Sequence, residues 1–374
     1  MLPCKNFAPS WLVNESLHPE DYKGQVMAMA QDVGYLTAEA CTTTTSGRLP
    51  RRVRARNLLA ALYVVAGVSI GSTTAGATDT ILVMNSSAAS LSVLDMATRK
   101  EIRRIPVLRE PHHWALTPDR KDLLVGDTVA NELLFLDPVT FEIKRRLTMS
   151  DPYQLGFSPD GKFFVVAAIA RNQIDIYEPV TYRLIKRFNI KSMPSHIDFM
   201  PDSSVVFVSL QGTGQVVAID LRTMLVLWTA PSGKAPAGIM VQNGQVLVAN
   251  MGADDVAVMD PKDGRVTRRI RTGKGAHTLF RSLDRKTVWV TNRLDLYSVV
   301  VLDAKTLEQM RRYQLPGGPD DLEFTSDGQV WFTMRFFHKI AVLDPSTGNH
   351  STIDVGRSPH GIFFNRRTTL SPVN

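Results

Sequence analysis

Histidine residues recur at one kind of position in this sequence and could supply metal-ligating or acid–base chemistry. Each stands just after a proline or glycine that opens an apolar run, and these residues are His112, His113, His196, His277 and His360. Imidazole is the commonest transition-metal ligand and titrates near neutral pH. If the fold brings these side chains together, they could ligate haem or a divalent metal, or act as acids and bases. The alternative is a set of polar residues bonded to backbone carbonyls and water.

The elements that would position these histidines repeat along the chain. A short apolar run ends in an acidic residue at intervals of 40 to 43 residues, and these acidic marks are Asp95, Asp137, Glu178, Asp220, Asp260, Asp303 and Asp344. Repeats of this length with four short strands in each unit are typical of β-propeller blades. The sequence therefore predicts an all-β fold, a seven-bladed β-propeller with four-stranded antiparallel blades.

The two ends of the repeated region are predicted to share one blade. Residues 81–85, 91–95 and 101–107 supply three strands with no innermost strand before them, while residues 360–365 supply an innermost strand with nothing after it. Joining them would close the ring and leave no large exposed sheet edge. We expect the C-terminal innermost strand to complete the first blade.

This geometry predicts which side chains meet at one mouth of the central channel. The innermost strands are expected to open at Pro111, Pro152, Pro194, Pro236, Gly275, Pro319 and Pro359. The second residue after each opening should lie at a common level, which then contains His113, Gln154, His196, Gly238, His277, Asp321 and Gly361. The candidate metal ligands at this level are His113, His196 and His277, and Asp321 adds a carboxylate.

Two segments carry a family signature: residues 246–250 are Val-Leu-Val-Ala-Asn and residues 288–292 are Val-Trp-Val-Thr-Asn. With the Ser-Pro-Asp-Gly turn at 158–161, they make the region 79–366 similar to the YVTN-type (YncE-like) seven-bladed β-propeller repeat family. The resemblance implies a usually exported propeller whose function varies between members. Gly126, Ala168 and Met334 depart from the pattern, since they stand where other repeats have the terminal asparagine.

Basic residues in the loops after the second strands are predicted to surround the same mouth. The arginines of this rim are Arg171, Arg293 and Arg335. Guanidinium groups bind carboxylates and phosphates in a bidentate way. Together with the five histidines and Asp321, they predict a site for a small anionic ligand or a loop of a partner protein; the alternative is ordinary solvated loop charge.

Pairs of basic residues mark the outermost strands of five repeats. They are Arg103 and Arg104, Arg145 and Arg146, Lys186 and Arg187, Arg268 and Arg269, and Arg311 and Arg312. A belt of positive charge could bind nucleic acid or an anionic envelope surface in a salt-dependent way. Charged edge strands also prevent sheets from aggregating, and the lack of interleaved exposed aromatic residues favours this second role.

The N-terminal region has the sequence pattern of a targeting segment. Four arginines between residues 51 and 56 precede an apolar run and then small residues up to residue 77, which is the pattern of a signal peptide. We expect residues 1–50 to be a non-native extension or disordered leader, 51–77 a signal peptide, 79–366 the propeller and 367–374 a tail. Both cysteines, Cys4 and Cys41, lie in the leader. The mature protein should be periplasmic or secreted, with no transmembrane span.

Composition and motifs leave three hypotheses about function. The chain has a net charge of +7 and carries no phosphate-binding glycine loop, zinc-type cysteine spacing or nucleophile elbow. The first hypothesis is an exported binding protein that receives its ligand at the histidine and arginine mouth. The alternatives are a haem- or divalent-metal-dependent enzyme, an oxidoreductase or lyase, and a scaffold for protein or nucleic acid.

Overall fold

The structure is a computed structural model that describes residues 78–294 and 297–368. The predicted leader (1–50), the predicted signal peptide (51–77) and residues 369–374 of the predicted tail lie outside the described residues. The described part contains 28 β-strands in seven four-stranded antiparallel sheets. The predicted all-β, seven-bladed propeller is confirmed.

Each blade runs from an innermost to an outermost strand. The innermost strands are β4 (Pro111–Leu116), β8 (Gln154–Phe157), β12 (Pro194–Phe199), β16 (Pro236–Gln242), β20 (Ala276–Arg281), β24 (Pro319–Phe324) and β28 (Pro359–Phe364). The second strands are β1 (Thr80–Asn85), β5 (Leu123–Asp127), β9 (Phe164–Ala168), β13 (Val205–Leu210), β17 (Gln245–Asn250), β21 (Thr287–Asn292) and β25 (Val330–Met334).

The third strand of each blade is mostly buried, whereas the outermost strand is largely exposed. The third strands are β2 (Ser90–Asp95), β6 (Glu132–Leu136), β10 (Gln173–Tyr177), β14 (Gln215–Asp220), β18 (Asp255–Met259), β22 (Ser298–Asp303) and β26 (Lys339–Leu343). The outermost strands are β3 (Lys100–Pro106), β7 (Ile143–Thr148), β11 (Leu184–Asn189), β15 (Leu225–Pro231), β19 (Val266–Arg271), β23 (Gln309–Gln314) and β27 (His350–Asp354).

The innermost strands form a continuous ring around the channel. Each one contacts the innermost strand of the next blade, and β28 contacts both β24 and β4. β28 also pairs antiparallel with β1, where Ile81 is opposite Phe364. The first blade is therefore built from both ends of the described region. Two short 3-10 helices, Ser86–Ala88 and Asn365–Thr368, complete the secondary structure. Within residues 78–294 and 297–368, no helix has the length and apolar character needed to cross a bilayer.

The acidic marks of the repeat close the turns between third and outermost strands. A carboxylate oxygen of Asp137 accepts hydrogen bonds from the backbone N–H groups of Val139 and Thr140, each at 2.9 Å. Asp303 accepts from Lys305 and Thr306 in the same way. Short acidic side chains favour such turns because they replace a backbone acceptor. The interval of 40 to 43 residues therefore corresponds to one such turn in every blade.

The core lies between the faces of neighbouring blades. One cluster joins Leu82 and Phe363 of the first blade to Leu134 and Phe141 of the second, and all four are fully buried. Similar clusters of aliphatic and aromatic side chains fill the other spaces between blades. Strands buried on both faces explain the continuous apolar runs of the sequence.

The terminal asparagine of the second strand fastens the incoming loop to the blade. Asn292 accepts a hydrogen bond from the Thr272 hydroxyl at 2.9 Å and donates one to the Ser298 hydroxyl at 3.2 Å. In the second blade Asp127, not Gly126, has this position, because Asp127 pairs with Pro111. Its carboxylate accepts from two backbone N–H groups of the incoming loop. The expected departure at Gly126 is therefore wrong.

Asn292→Ala is expected to lower the free energy of unfolding by about 1 to 3 kcal/mol, because it leaves the buried Thr272 hydroxyl without its acceptor and removes one of the hydrogen bonds of the Ser298 hydroxyl. Urea denaturation would measure the change. Asn349→Ala makes the same chemical change at an exposed turn position and serves as the control. Equal denaturation midpoints for the two variants would contradict the role assigned to Asn292.

Candidate functional site

Irregular pairing at the start of the innermost strands places the histidines at the channel. In β4, Pro111 pairs with Asp127 and Trp114 pairs with Val125, so His112 and His113 together oppose one residue of β5. Five other innermost strands, β12, β16, β20, β24 and β28, show the same register shift. Such a bulge bends the strand and redirects its side chains. As a result His112 and His113 are both buried although they are adjacent.

The site has two layers, where the sequence predicted one level. In the sixth blade Ala276 pairs with the end of the second strand, so it takes the position that proline has elsewhere. Gly275 precedes it in the left-handed conformation, with φ of 69°, which glycine adopts without steric cost. His277 therefore belongs to the first layer: His112, Ser195, His277, Asp320 and His360. The second layer contains His113, His196, Thr278 and Asp321.

The five imidazoles form one buried cluster, and each of these residues is at most 6% exposed. The rings of His112 and His360 lie 3.7 Å apart between centroids, and His113 is 4.7 Å from His112 and 4.5 Å from His360. His196 connects His113 to His277, at 5.3 and 5.6 Å. The structure thus brings together all five predicted histidines in one contiguous group.

Asp320 is the electrostatic centre of the first layer and was not selected from the sequence. Its carboxylate lies 2.7 Å from His277 Nδ1 and accepts hydrogen bonds from Arg293 at 3.0 Å and Arg335 at 3.2 Å. Burial alone would raise its pKa, but His277, His360 and Arg293 outweigh burial and hold the pKa of Asp320 well below its usual range. Asp320 is therefore an ionised carboxylate that is fully buried.

Asp321, the next residue, has the opposite electrostatic character. Its carboxyl lies 3.6 Å from His360 Nδ1 and 3.8 Å from His113 Nδ1. Burial, and then repulsion from Asp320, raises the pKa of Asp321 well above the usual value. The pKa values of these two adjacent carboxyl groups are thus shifted in opposite directions, and the one with the lowered pKa is paired with two arginines.

The imidazoles are neutral at physiological pH. Burial is the main cause, and it lowers the pKa of His113 to about 3 and that of His277 to about 4. It also lowers the pKa of His112, His196 and His360 well below the usual value, with further contributions from neighbouring imidazoles and arginines. Neutral imidazole is the form that ligates metal ions.

Several imidazole nitrogens have no hydrogen-bond partner within the described part of the chain. They are His112 Nδ1, His113 Nε2, His196 Nε2 and His360 Nδ1, together with His277 Nδ1, which lies beside the Asp320 carboxylate. Among the described residues, the histidines whose ligand atoms all lie within 4.8 Å of one another are His112, His113 and His360. This group shares only His113 with the metal-ligand set predicted from the sequence, which was His113, His196 and His277.

The predicted arginine rim divides into two parts. Arg293 and Arg335 are mostly buried and bind Asp320, so the protein itself supplies the carboxylate that we expected from a ligand. Arg171 is exposed, and its backbone N–H donates to Asp151. Sequence analysis also missed Tyr153, whose ring centroid lies 4.4 Å from that of His112. It directly follows an opening proline, the same signal that identified the histidines.

The dibasic pairs of the outermost strands make contacts both within their own blade and with the next blade. Several first members reach the next blade: Arg103 donates to the carbonyl of Thr140, Arg268 to that of Thr306 and Arg311 to that of Pro345. Several second members contact their own blade: Arg104 pairs with Glu101, Arg146 with Glu132, Arg187 with Asp175 and Arg269 with Asp255, and Arg312 donates to Ser298. Arg145 lies 3.4 Å over the Phe135 ring, and Lys186 is 5.7 Å from that of Phe188. These contacts give the dibasic pairs a structural role, and binding of a polyanion by them stays a prediction.

Two cavities lie in the channel on the side of the second layer. The smaller, about 160 Å³, is lined by His113, His196 and Asp321; we call it the inner cavity. The larger, about 660 Å³, lies among the turns that join the innermost strands to the second strands, and we call it the turn-face cavity. Trp114 and Gln154 line both cavities. Along β4 the order is therefore histidine cluster, inner cavity and turn-face cavity.

Comparison with known proteins gives two partial sequence relatives, both named NirF, and several structural ones. A segment of 133 residues, 35% of this chain, is 31% identical to protein NirF of Pseudomonas aeruginosa and covers 34% of that protein. The match therefore spans about a third of the curated relative. The periplasmic gluconolactonase PpgL of Pseudomonas aeruginosa has a TM-score of 0.62 at 16% identity, over 76% of this chain and 98% of PpgL.

The dihydro-heme d1 dehydrogenase NirN, solved in complex with DHE, has a TM-score of 0.60 at 14% identity, over 80% of this chain and 78% of NirN. At these identities the two structural likenesses show the fold alone. The family match is broader, since it extends over residues 50–368 and so includes every strand described above. The chain belongs to the YNCE-like beta-propeller family.

Proposed function

We propose that this protein is an exported binding propeller whose histidine cluster holds a divalent transition metal ion. The observation that carries the proposal is the convergence of buried, neutral imidazoles with nitrogens that have no partner among the described residues. Unpaired polar atoms are costly in a protein interior. A metal ion would satisfy several of them at once.

The donor set fits such an ion. His112, His113 and His360 would be the imidazole ligands, and Asp321 lies 3.6 to 3.8 Å from nitrogens of two of them. Three protein nitrogens and one carboxylate match the ligand number and type that zinc and similar ions prefer. A bound ion would supply a Lewis-acid centre beside the inner cavity. Because a raised pKa favours the protonated form of Asp321, we expect metal binding to release a proton.

A haem-type tetrapyrrole is the second candidate, favoured by the similarity to NirF and by the dihydro-heme d1 dehydrogenase named for NirN. The rings of His112 and His360, 3.7 Å apart, leave no space for a macrocycle between them. The residues that would hold a tetrapyrrole metal are His113 or His196, which line the inner cavity.

Export to the periplasm is part of the same proposal. The basic, apolar and small-residue pattern of residues 51–77 supports it, and PpgL is a periplasmic protein of the same fold.

Metal titration of the untagged protein tests the function. We expect one Co²⁺ or Zn²⁺ per chain by calorimetry, release of a proton, and a Co²⁺ absorption spectrum typical of nitrogen and oxygen ligands. His112→Gln and His360→Gln should each weaken binding by more than about tenfold, because each removes one ligand. His350→Gln, on the exposed outermost strand β27, is the matched control.

The outcomes separate the two candidates. Haemin binding with a shifted absorption band that depends on His113 or His196, without binding of free metal ions, would favour the tetrapyrrole. The absence of both metal and haemin binding would contradict the proposed function, as would metal binding that survives both glutamine substitutions.

A further inference from the structure

We propose that the turn-face cavity is a binding site for a small amphipathic anion, an apolar ring body that carries a carboxylate, sulfonate or phosphate group. This site lies on the opposite side of the channel from Arg293 and Arg335. It goes beyond the proposed metal site and does not depend on it.

The lining of the cavity joins an apolar floor to cationic walls. Aromatic and aliphatic side chains from neighbouring innermost strands form the apolar part: Trp114, Leu155, Phe157, Ile197 and Phe199. Four arginines contribute to the lining: Arg120, Arg281, Arg285 and Arg367. The lining contains one acidic residue, Asp198. Arg367 is paired with the buried carboxylate of Glu323 at 2.7 Å. The other three arginines against Asp198 still give the lining a formal excess of positive charge beside its apolar surface, which is the complement of an amphipathic anion.

Arg281 is the best-positioned cation. Its side chain is 17% exposed, and it lies at the end of β20, where it donates to the Gln242 side chain at 2.9 Å. The nearest carboxylate, Asp198, is 3.8 Å away and accepts a backbone hydrogen bond from Val241. The guanidinium also donates to the backbone carbonyl of Val241, while its 3.8 Å separation from Asp198 is longer than a charge-assisted hydrogen bond. An anionic group that approached Arg281 would gain a charge-assisted hydrogen bond.

The volume and the mouth suit a ring compound. A cavity of about 660 Å³ falls in the range of small-molecule sites, which are mostly apolar with a few convergent polar groups. Arg120 and Arg285 stand in the turns that surround the mouth, and both have left-handed backbone conformations, with φ of 58°. The turn geometry therefore holds two basic residues at the entrance.

A matched pair of fluorescent probes tests this inference. 8-Anilinonaphthalene-1-sulfonate carries a sulfonate, and N-phenyl-1-naphthylamine has a similar aromatic body without it. We expect the sulfonate probe to bind at one site per chain and to quench tryptophan fluorescence, with an affinity that falls as salt rises. The uncharged probe should bind at least about tenfold more weakly, because it lacks a hydrogen bond to a charged group.

Variants assign the effect to the cavity. Arg281→Gln should weaken sulfonate binding by about tenfold or more. The double variant Arg120→Asn, Arg285→Asn avoids a buried substitution and keeps residues that tolerate positive φ; it should weaken binding in the same direction. Arg222→Gln removes one positive charge at an exposed turn and should have no effect. His112→Gln should also leave sulfonate binding unchanged, which separates this site from the metal site.

Equal affinity for the two probes would overturn the proposal. Sulfonate binding that is unchanged in both the Arg281 variant and the double variant would also overturn it. A third contradicting result would be binding of more than one sulfonate probe per chain that Arg222→Gln weakens as much as the cavity variants do.

Discussion

Asp320→Asn is expected to lower the free energy of unfolding by about 3 to 5 kcal/mol, the cost of removing one partner from a buried ion pair. The carboxylate of Asp320 is fully buried and accepts hydrogen bonds from Arg293 and Arg335, which are 14% and 16% exposed. An amide in its place keeps the shape but removes the charge. Two guanidinium groups would then lie in the channel without their counterion, beside His277.

The adjacent residue provides the control. Asp321 is also buried, but its pKa is raised, so we expect its carboxyl to be protonated in the folded protein. Asp321→Asn replaces this neutral group by a neutral group of similar size and should cost less than about 1.5 kcal/mol. Urea denaturation in the presence of a chelator measures both variants without a bound metal ion. Equal destabilisation by the two substitutions would contradict the assignment of charge to Asp320 and neutrality to Asp321.

The blade architecture could be predicted because each repeat carries its own local signals. Asp137 and Asp303 mark turns through their bonds to nearby backbone N–H groups, and these bonds need only three or four consecutive residues. The interval between such marks then counts the blades. Local turn chemistry and long-range packing agree here, as expected of a sequence that specifies one fold.

The layering of the site could not be predicted, because it depends on pairing between strands. Gly275 looks like the opening of the sixth innermost strand, yet the register shows that Ala276 has that position. A shift of one residue moves His277 from the layer of His113 to the layer of Asp320. The bulges that make adjacent residues face the channel are equally invisible in a single strand, because they are defined by the partner strand.

The partners of the arginines were also beyond the sequence. Arg293 and Arg335 were expected to bind an anionic ligand, but both pair with Asp320. Asp320 lies in the same blade as Arg335 and in the blade that follows that of Arg293. Conversely, Arg281 and Arg367 are distant in sequence and belong to no repeated pattern, yet they line one cavity. Sites of this kind arise where five blades and the C-terminal segment converge.

Because the histidine cluster is buried, we expect the free energy of unfolding to depend strongly on pH in the acid range. For an imidazole that stays neutral in the folded protein, the free energy of unfolding should fall by about 2 kcal/mol between pH 7 and pH 5. The folded pKa values, about 3 for His113 and about 4 for His277, lie below the ordinary 6.5. As the pH falls below 6.5 the unfolded chain binds protons that the folded chain excludes. Stability is therefore retained above pH 6.5 and lost progressively towards pH 4.

The whole cluster should make this loss large, since all five imidazoles have lowered pKa values. Asp321 opposes it by at most one proton, because a raised carboxyl pKa favours the folded state as the pH falls. Urea denaturation at pH 7, 6 and 5, with chelator present, measures the slope. His113→Gln should reduce the loss between pH 7 and pH 5 by about 2 kcal/mol, whereas His350→Gln, at an exposed position of β27, should not. A stability that is constant from pH 7 to pH 5 would mean that the imidazoles take up protons in the folded protein, and the neutral cluster on which metal binding depends would not exist.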